Sequence, residues 1–131
     1  TSVLNVDTIA DKAGSGPVAL TKQQASKCWA QWDMSSTAHI NESFSVSSLT
    51  DGGTGVGKIT FTNSFDSTEY AFSTGTGETD GDGNRGIGAR GSSSGIATNH
   101  MTFHTFSFPG SGGTSANDVN LNSANWHGDL A

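Results

Sequence analysis

Hydrophobic and polar residues alternate in several short segments of the chain. In residues 28–33, Cys28, Ala30 and Trp32 would share one face of an extended strand. Because successive side chains of a strand point to opposite faces, this period of two residues predicts a strand with one buried face. The same alternation predicts further strands at residues 40–49, 58–62, 69–73 and 100–104.

Three of these strands follow one another closely, with short turns between them. Residues 50–55 read Thr-Asp-Gly-Gly-Thr-Gly, in which several positions accept a positive φ angle. We therefore expect residues 40–49, 58–62 and 69–73 to form an antiparallel meander.

The second half of the chain alternates long polar segments with strands. Residues 74–95 are dominated by Gly, Ser, Asp and Thr and predict a long excursion that includes a short strand near residues 87–90. A strong strand is predicted within residues 96–108 and one or two more within 119–130, with a second loop at 109–117. No segment predicts a helix.

The composition supports an all-β fold. Gly, Ser, Thr and Asn make up nearly half of the 131 residues, whereas 32% are hydrophobic and 14% are charged. A disordered chain with so few hydrophobic residues would carry more charges, and a helical protein would contain fewer glycines. We therefore predict an antiparallel β-sandwich of about seven to nine short strands with long Gly/Ser-rich loops.

The first 25 residues differ from the rest of the chain. They contain two short candidate strands, at residues 3–7 and 18–20, which are too short to be stable alone. We predict a short β connector or stalk at residues 1–25, followed by a β-sandwich domain at residues 26–131. Since a small domain with few hydrophobic residues buries little area, and Cys28 has no partner for an internal disulfide, burial between subunits is expected.

The charge and hydropathy pattern argues against two classes of partner. The formal net charge is −6 and no basic stretch is present, which argues against binding to a nucleic-acid backbone. No apolar run approaches the roughly 20 residues that a membrane-spanning helix needs, so no membrane insertion is expected.

No catalytic set is visible in the sequence. The chain has no Gly-x-Ser-x-Gly elbow between a strand and a helix. Its carboxylates lie at predicted strand edges and turns, where solvated carboxylates are the ordinary expectation. A pair of carboxylates that meet in space, as in glycoside hydrolases, stays open as an alternative. We predict that the protein is not an enzyme and has no catalytic residue.

Two polar groups suggest metal binding only weakly. Asp80, Asp82 and Asn84 have the two-residue spacing of calcium loops, but Ala89 stands where the closing glutamate would be, so a solvated turn is favoured and no cofactor is expected. His100 and His104 would lie roughly 13 Å apart on one strand face, too far to share a metal ion. They would either form separate rings around an oligomer axis or, as we favour, lie at a surface or interface.

The aromatic residues are the remaining candidates for binding. Trp29, Trp32, Tyr70 and Trp126 would serve as flat platforms for sugars if exposed. With so few other large hydrophobic residues available, at least two of the four are expected to belong to the core.

Several segments resemble the C-terminal domain of the tail fibres of tailed phages, of the kind common in marine phages. The resemblance lies in Lys-Cys-Trp-Ala-Gln-Trp at residues 27–32, in Ser-Phe-Ser-Val-Ser-Ser-Leu-Thr-Asp-Gly-Gly-Thr-Gly at 43–55, in Ile-Thr-Phe at 59–61 and in Tyr-Ala at 70–71. Trp32 replaces the usual Phe and Ser45 the usual Asn. The motif is structural, so the resemblance transfers no catalytic residue.

The resemblance implies a virion protein at a fibre tip, exposed outside the cell, which forms a homotrimer and attaches to a host. The expected receptor is a cell-surface glycan or an outer-membrane receptor. Two alternatives are a purely structural trimerisation knob and a glycan-cleaving tailspike hydrolase. Because loops tolerate change, we expect receptor contacts at the loop residues Asn84, Arg85 and Arg90, with the aromatic residues Trp29 and Trp126 as the next candidates.

Overall fold

Ten antiparallel β-strands lie within residues 26–77, 84–90, 95–108 and 113–131, the parts of the chain that the computed structural model describes. The predicted connector at residues 1–25 lies outside this part. The strands are β1 (Cys28–Asp33), β2 (His39–Phe44), β3 (Val46–Asp51), β4 (Val56–Phe61), β5 (Ala71–Gly77), β6 (Arg85–Ala89), β7 (Ile96–Ala97), β8 (His100–Ser107), β9 (Ser115–Ala116) and β10 (Leu121–His127).

The strands form two sheets that pack face to face. The first sheet has the order β2-β1-β10-β5, and the second has the order β3-β4-β8-β6, with β7 and β9 also paired to β8. No described residue lies in a helix, so none of these residues forms a helix that would cross a membrane. The predicted all-β antiparallel sandwich is confirmed, although with ten strands rather than about seven to nine.

The predicted strand at residues 40–49 is divided between the two sheets. Ser45 adopts a positive φ of 58°, and the chain changes sheet there, from β2 to β3. A β-bulge between β1 and β2 also changes the directions of the β2 side chains. Phe44 pairs with Trp29, whereas Ile40 pairs with Trp32, beyond a register shift between Gln31 and Trp32. Because Trp29 and Trp32 face opposite sides of β1, Ile40 and Phe44 do as well, and Phe44 is 57% exposed.

The predicted meander is wrong at its third strand. β3 and β4 form an antiparallel hairpin, as expected, but β5 crosses to the first sheet and pairs with β10. The residues from 74 to 77 continue β5, and 85–89 form β6, so nine of the twelve described residues of the predicted excursion at 74–95 lie in strands. β6 lies close against β8 because Gly86 has no side chain: a Cβ there would lie 2.5 Å from the Phe106 ring.

The core between the sheets is mainly aromatic. The Phe61 ring contacts those of Phe65, Tyr70 and Trp126 edge-on, with centroids 5.1, 5.8 and 5.1 Å apart. Trp32 packs on Phe103 with centroids 4.9 Å apart. Such ring pairs add about 0.5–1.5 kcal/mol each beyond the area they bury. This rigid core supports a first sheet whose other face is open to solvent.

Candidate functional site: a groove across the first sheet

A shallow groove of about 450 Å³ crosses the outer face of the first sheet. Its volume lies within the range of about 300–1,000 Å³ that is usual for small-ligand sites. Three strands, β1, β10 and β5, form it side by side. The side chains that point outward along it belong to Trp29, Gln31, Ser73, Ser123 and Asn125, with Gly75 between them.

The strand registers bring these residues into two parallel rows. Trp29 pairs with Asn125, which pairs with Ser73. In the second row, Gln31 pairs with Ser123, which pairs with Gly75. Paired residues of antiparallel strands point to the same face, and neighbouring strands lie about 4.8 Å apart, so each row extends roughly 10 Å from β1 to β5.

Aromatic and apolar surface lies at the β1 side of the groove. Trp29 is half-buried, so part of its indole remains open to solvent. Phe44 pairs directly with Trp29 on edge strand β2 and points to the same side. The groove therefore has an apolar side at Trp29, with Phe44 next to it on β2 but outside the lining, and hydroxyl and amide groups toward β5.

The amide of Asn125 is held in place within the sheet. The Nε2–H of His127 donates to Oδ1 of Asn125 at 2.8 Å. Oδ1 therefore accepts a hydrogen bond within the protein, and Nδ2 carries the two donors of this amide. Gln31 and Ser123, in the next row, add one amide and one hydroxyl.

Because Gly75 has no side chain, the β5 side of the groove has no raised wall at this position. A Cβ at this position would lie 3.0 Å from Oγ of Ser123, so any side chain here would crowd the second row. Gly75 lies on β5, the edge strand of the first sheet.

Of the two tryptophans proposed for binding, one lies in the groove and the other does not. Trp126 is fully buried, so the prediction that it contacts a receptor is wrong. It pairs with Cys28 on the inward face of β10, whereas Trp29, one residue further along β1, pairs with the outward Asn125. Because successive residues of a strand point to opposite faces, this difference of one position leaves the Trp29 indole on the outer face and buries that of Trp126.

The predicted loop site at Asn84, Arg85 and Arg90 is not a single site on a loop. Arg85 begins β6 and is half-buried, whereas Asn84 before it and Arg90 after it are exposed. Because β6 is extended, Arg85 and Arg90 are separated by about 17 Å along the chain. All three residues belong to the second sheet or its ends, and none of them lines the groove.

The candidate metal ligands do not form a cluster in the part of the chain that is described. Asp80 and Asp82 lie outside it, and Asn84 is exposed at the start of β6. No group of three or more His, Cys, Asp or Glu residues suited to a metal ion occurs among the described residues. His100 and His104 lie four positions apart on β8, and Nδ1 of His100 lies 2.8 Å from Oδ1 of Asn99.

Burial makes Cys28 a poor nucleophile, and three carboxylates lie around one small cavity. Burial raises the pKa of the Cys28 thiol to about 12, so it is not a thiolate nucleophile at neutral pH. A smaller cavity of about 250 Å³ is lined by Asp66, Glu69 and Asp129, and all three carboxylates are exposed.

The sequence indicated only one residue of this groove as a binding candidate, Trp29. Gln31 was placed on the same face of its strand by the alternation, but Ser73, Ser123 and Asn125 carried no local signal. They meet Trp29 because β10 pairs with both β1 and β5. Comparisons with protein-family models, with curated proteins and with solved structures gave no match, so the resemblance to tail-fibre tips stays a prediction.

Proposed function

We propose that this protein binds a host cell-surface glycan through the groove, as the receptor-binding tip of a phage tail fibre. One observation carries the proposal: a solvent-accessible indole, Trp29, stands in register with the amide of Asn125 and the hydroxyl of Ser73. Sugar rings have an apolar face and hydroxyl edges, and this row offers an apolar surface with donors and acceptors beside it.

The expected affinity of one groove is modest. Each hydrogen bond between neutral partners adds about 0.5–1.5 kcal/mol net, and the groove is shallow and open to competing water. A homotrimer would present three grooves, and several fibres would multiply the contacts again. This arrangement suits attachment of a virion, where many weak contacts act together.

The homotrimer belongs to the proposal and follows from the resemblance and the small core. Five large hydrophobic side chains of the described residues remain exposed, which supports further burial between subunits. They are Phe44, Phe72, Phe108, Leu121 and Leu130. Sedimentation equilibrium of the full chain at micromolar concentration tests this part, and a stable monomer would contradict it.

Binding is tested with the labelled full chain on host cells and on immobilised surface glycans. Trp29→Ala is expected to weaken binding at least about tenfold, a loss of about 1.4 kcal/mol. Its control is the double variant Arg85→Ala, Arg90→Ala, which changes charge on the other sheet and is expected to bind like the parent. Circular dichroism confirms that both variants fold.

Two results would overturn the proposed function. If the double arginine variant loses binding while Trp29→Ala keeps it, the receptor contacts the second sheet. If the folded parent binds neither cells nor glycans, the protein is a structural trimerisation knob.

We also propose that binding is not followed by cleavage. Glycoside hydrolases usually need two carboxyl groups about 5–10 Å apart around the scissile bond. On the outer face, Glu42 pairs with Gln31 and is the carboxylate closest in register to the described groove. Incubation with the bound polysaccharide is expected to give no shortened products; cleavage that a single carboxylate-to-amide variant abolishes would establish an enzyme instead.

A further inference from the structure

We infer that the glycan bound in this groove is uncharged, and that its chain lies across the strands and leaves the groove over Gly75. This inference rests on the proposed function and narrows it to a ligand class and a direction. It differs from what the predicted loop site would favour, because Arg85 and Arg90 would suit a receptor with negative charge.

The first argument is the charge of the groove. None of the described residues that line it is basic or acidic. An anionic sugar binds best to paired charged donors, above all to an arginine, because charge-assisted hydrogen bonds are about twice as strong as neutral ones. Here the available donors and acceptors are two amides and two hydroxyls, which match the hydroxyl groups of an uncharged sugar.

The charges around the groove also disfavour an acidic ligand. Glu42 is exposed on β2 and points to the same side as its partner Gln31. Lys27 precedes β1 beyond the Trp29 end, with Asp33 at the opposite end of the strand. The whole chain has a net charge of −6, so the long-range field repels anions as well.

The second argument is the shape of the groove. Its two rows run across the strands, from Trp29 and Gln31 on β1 to Ser73 and Gly75 on β5. The β1 end carries the aromatic surface on which a sugar ring would stack. The β5 end has no side chain at Gly75 and lies at the edge of the first sheet, so no side chain at this position blocks a chain of sugars that continues past it.

Gly75 and Gly77 provide a matched pair of variants. Both lie on β5 and point to the outer face, but only Gly75 lines the groove. A Cβ at Gly77 would make ordinary contact with Leu121, at 3.6 Å from Cδ2. Gly75→Val is expected to block the exit, whereas Gly77→Val introduces the same side chain on the same strand outside the groove.

The experiment uses the folded full chain on an array of bacterial polysaccharides, sorted into uncharged chains and chains that carry uronic acids or phosphate. Binding that Trp29→Ala removes is expected on uncharged chains only. Between 50 and 500 mM NaCl it should change by less than about twofold, because no ion pair is screened. Gly75→Val is expected to weaken binding of long uncharged chains about tenfold or more, and that of their disaccharide units far less.

The outcomes separate this inference from the proposed function. Binding of acidic chains that depends on Trp29 and falls with salt would overturn the inference and leave the proposed function in place. Equal weakening of binding by Gly75→Val and Gly77→Val would overturn the inference that the glycan leaves the groove over Gly75. The same inference would be overturned if Gly75→Val weakened binding of disaccharides and long chains equally. Glycan binding that is independent of Trp29, or no glycan binding at all, would reject the proposed groove function and the inference together.

Discussion

Trp126 donates its indole N–H to the sulfur of Met101, at 3.0 Å, and so links the two sheets through the middle of the core. Both side chains are fully buried, Trp126 on β10 and Met101 on β8. A buried indole N–H needs an acceptor, and the thioether supplies it where no backbone carbonyl of either sheet points inward. The contact explains why the tryptophan expected at the surface is held inside.

We predict that Met101→Leu destabilises the protein more than its small change in volume would suggest. The indole N–H of Trp126 would be left buried without an acceptor, at a cost of about 1–3 kcal/mol. Met34→Leu is the control, because Met34 is also buried but its sulfur is not the acceptor for this N–H; a swap of similar volume usually costs less than about 1.5 kcal/mol. Urea unfolding of both variants measures the difference, and equal losses would show that the N–H to sulfur contact contributes little.

The three tryptophans should differ in their access to solvent. Trp32 and Trp126 are fully buried, and Trp29 is half-buried on the outer face. We therefore predict that iodide quenches one emitting population of the folded protein and that Trp29→Phe removes it. Addition of the glycan should protect the same population in the parent. Quenching that persists in Trp29→Phe would mean that a second indole reaches the surface.

Gly55 is expected to tolerate no side chain. It adopts a φ of 70°, and a Cβ there would lie 2.5 Å from the carbonyl oxygen of Thr105. Its N–H also donates to Oδ1 of Asp118 at 2.7 Å, which ties the turn to the segment before β10. Gly55→Ala should therefore cost more than the roughly 1 kcal/mol of left-handed strain alone.

Gly53→Ala separates the backbone strain of a positive φ from the steric clash of an added Cβ. Gly53 has a φ of 100°, but a Cβ there meets no atom within 4 Å. This variant would carry the backbone strain without the clash. Thermal unfolding should rank parent, Gly53→Ala and Gly55→Ala in order of falling stability; a Gly53→Ala variant as unstable as Gly55→Ala would assign the effect to backbone strain.

Stability is predicted to fall at alkaline pH. Burial raises the pKa of Cys28 from 9.0 to about 12, and burial followed by the charge of Cys28 raises the pKa of Tyr70 from 10.0 to about 12. Above pH 9 the unfolded chain therefore binds fewer protons than the folded one. The free energy of unfolding decreases as pH rises from 9 to 12, by up to about 1.4 kcal/mol per pH unit for each group.

Cys28→Ala tests the contribution of the thiol. The cost of the substitution itself at pH 7 is set aside by comparing slopes. The variant should lose stability less steeply than the parent between pH 9 and 10, where Cys28 titrates ahead of Tyr70 in the unfolded chain. Urea unfolding at half-unit intervals measures both slopes. Parallel curves would mean that the thiol ionises equally well in the folded state.

The sequence by itself determined the fold class, the approximate positions of several strands and the inward faces of β1 and β4. Cys28, Ala30 and Trp32 are buried as predicted, and so are Ile59 and Phe61. A period of two residues is a local property, since each side chain's face depends only on its position in an extended strand. Within one regular strand, the alternation of hydrophobic and polar residues therefore predicts which side chains face the core.

Only the tertiary structure decided where strands change sheet and which strands are neighbours. The positive φ of Ser45 and the bulge opposite Gln31 divide what looks like one strand and turn Phe44 outward. The groove needs β10 to pair with β1 and β5, which joins Asn125 to residues almost 100 and about 50 positions away. Such pairings depend on how both sheets bury their inner faces together, and no local pattern around Ser73 or Asn125 encodes that choice.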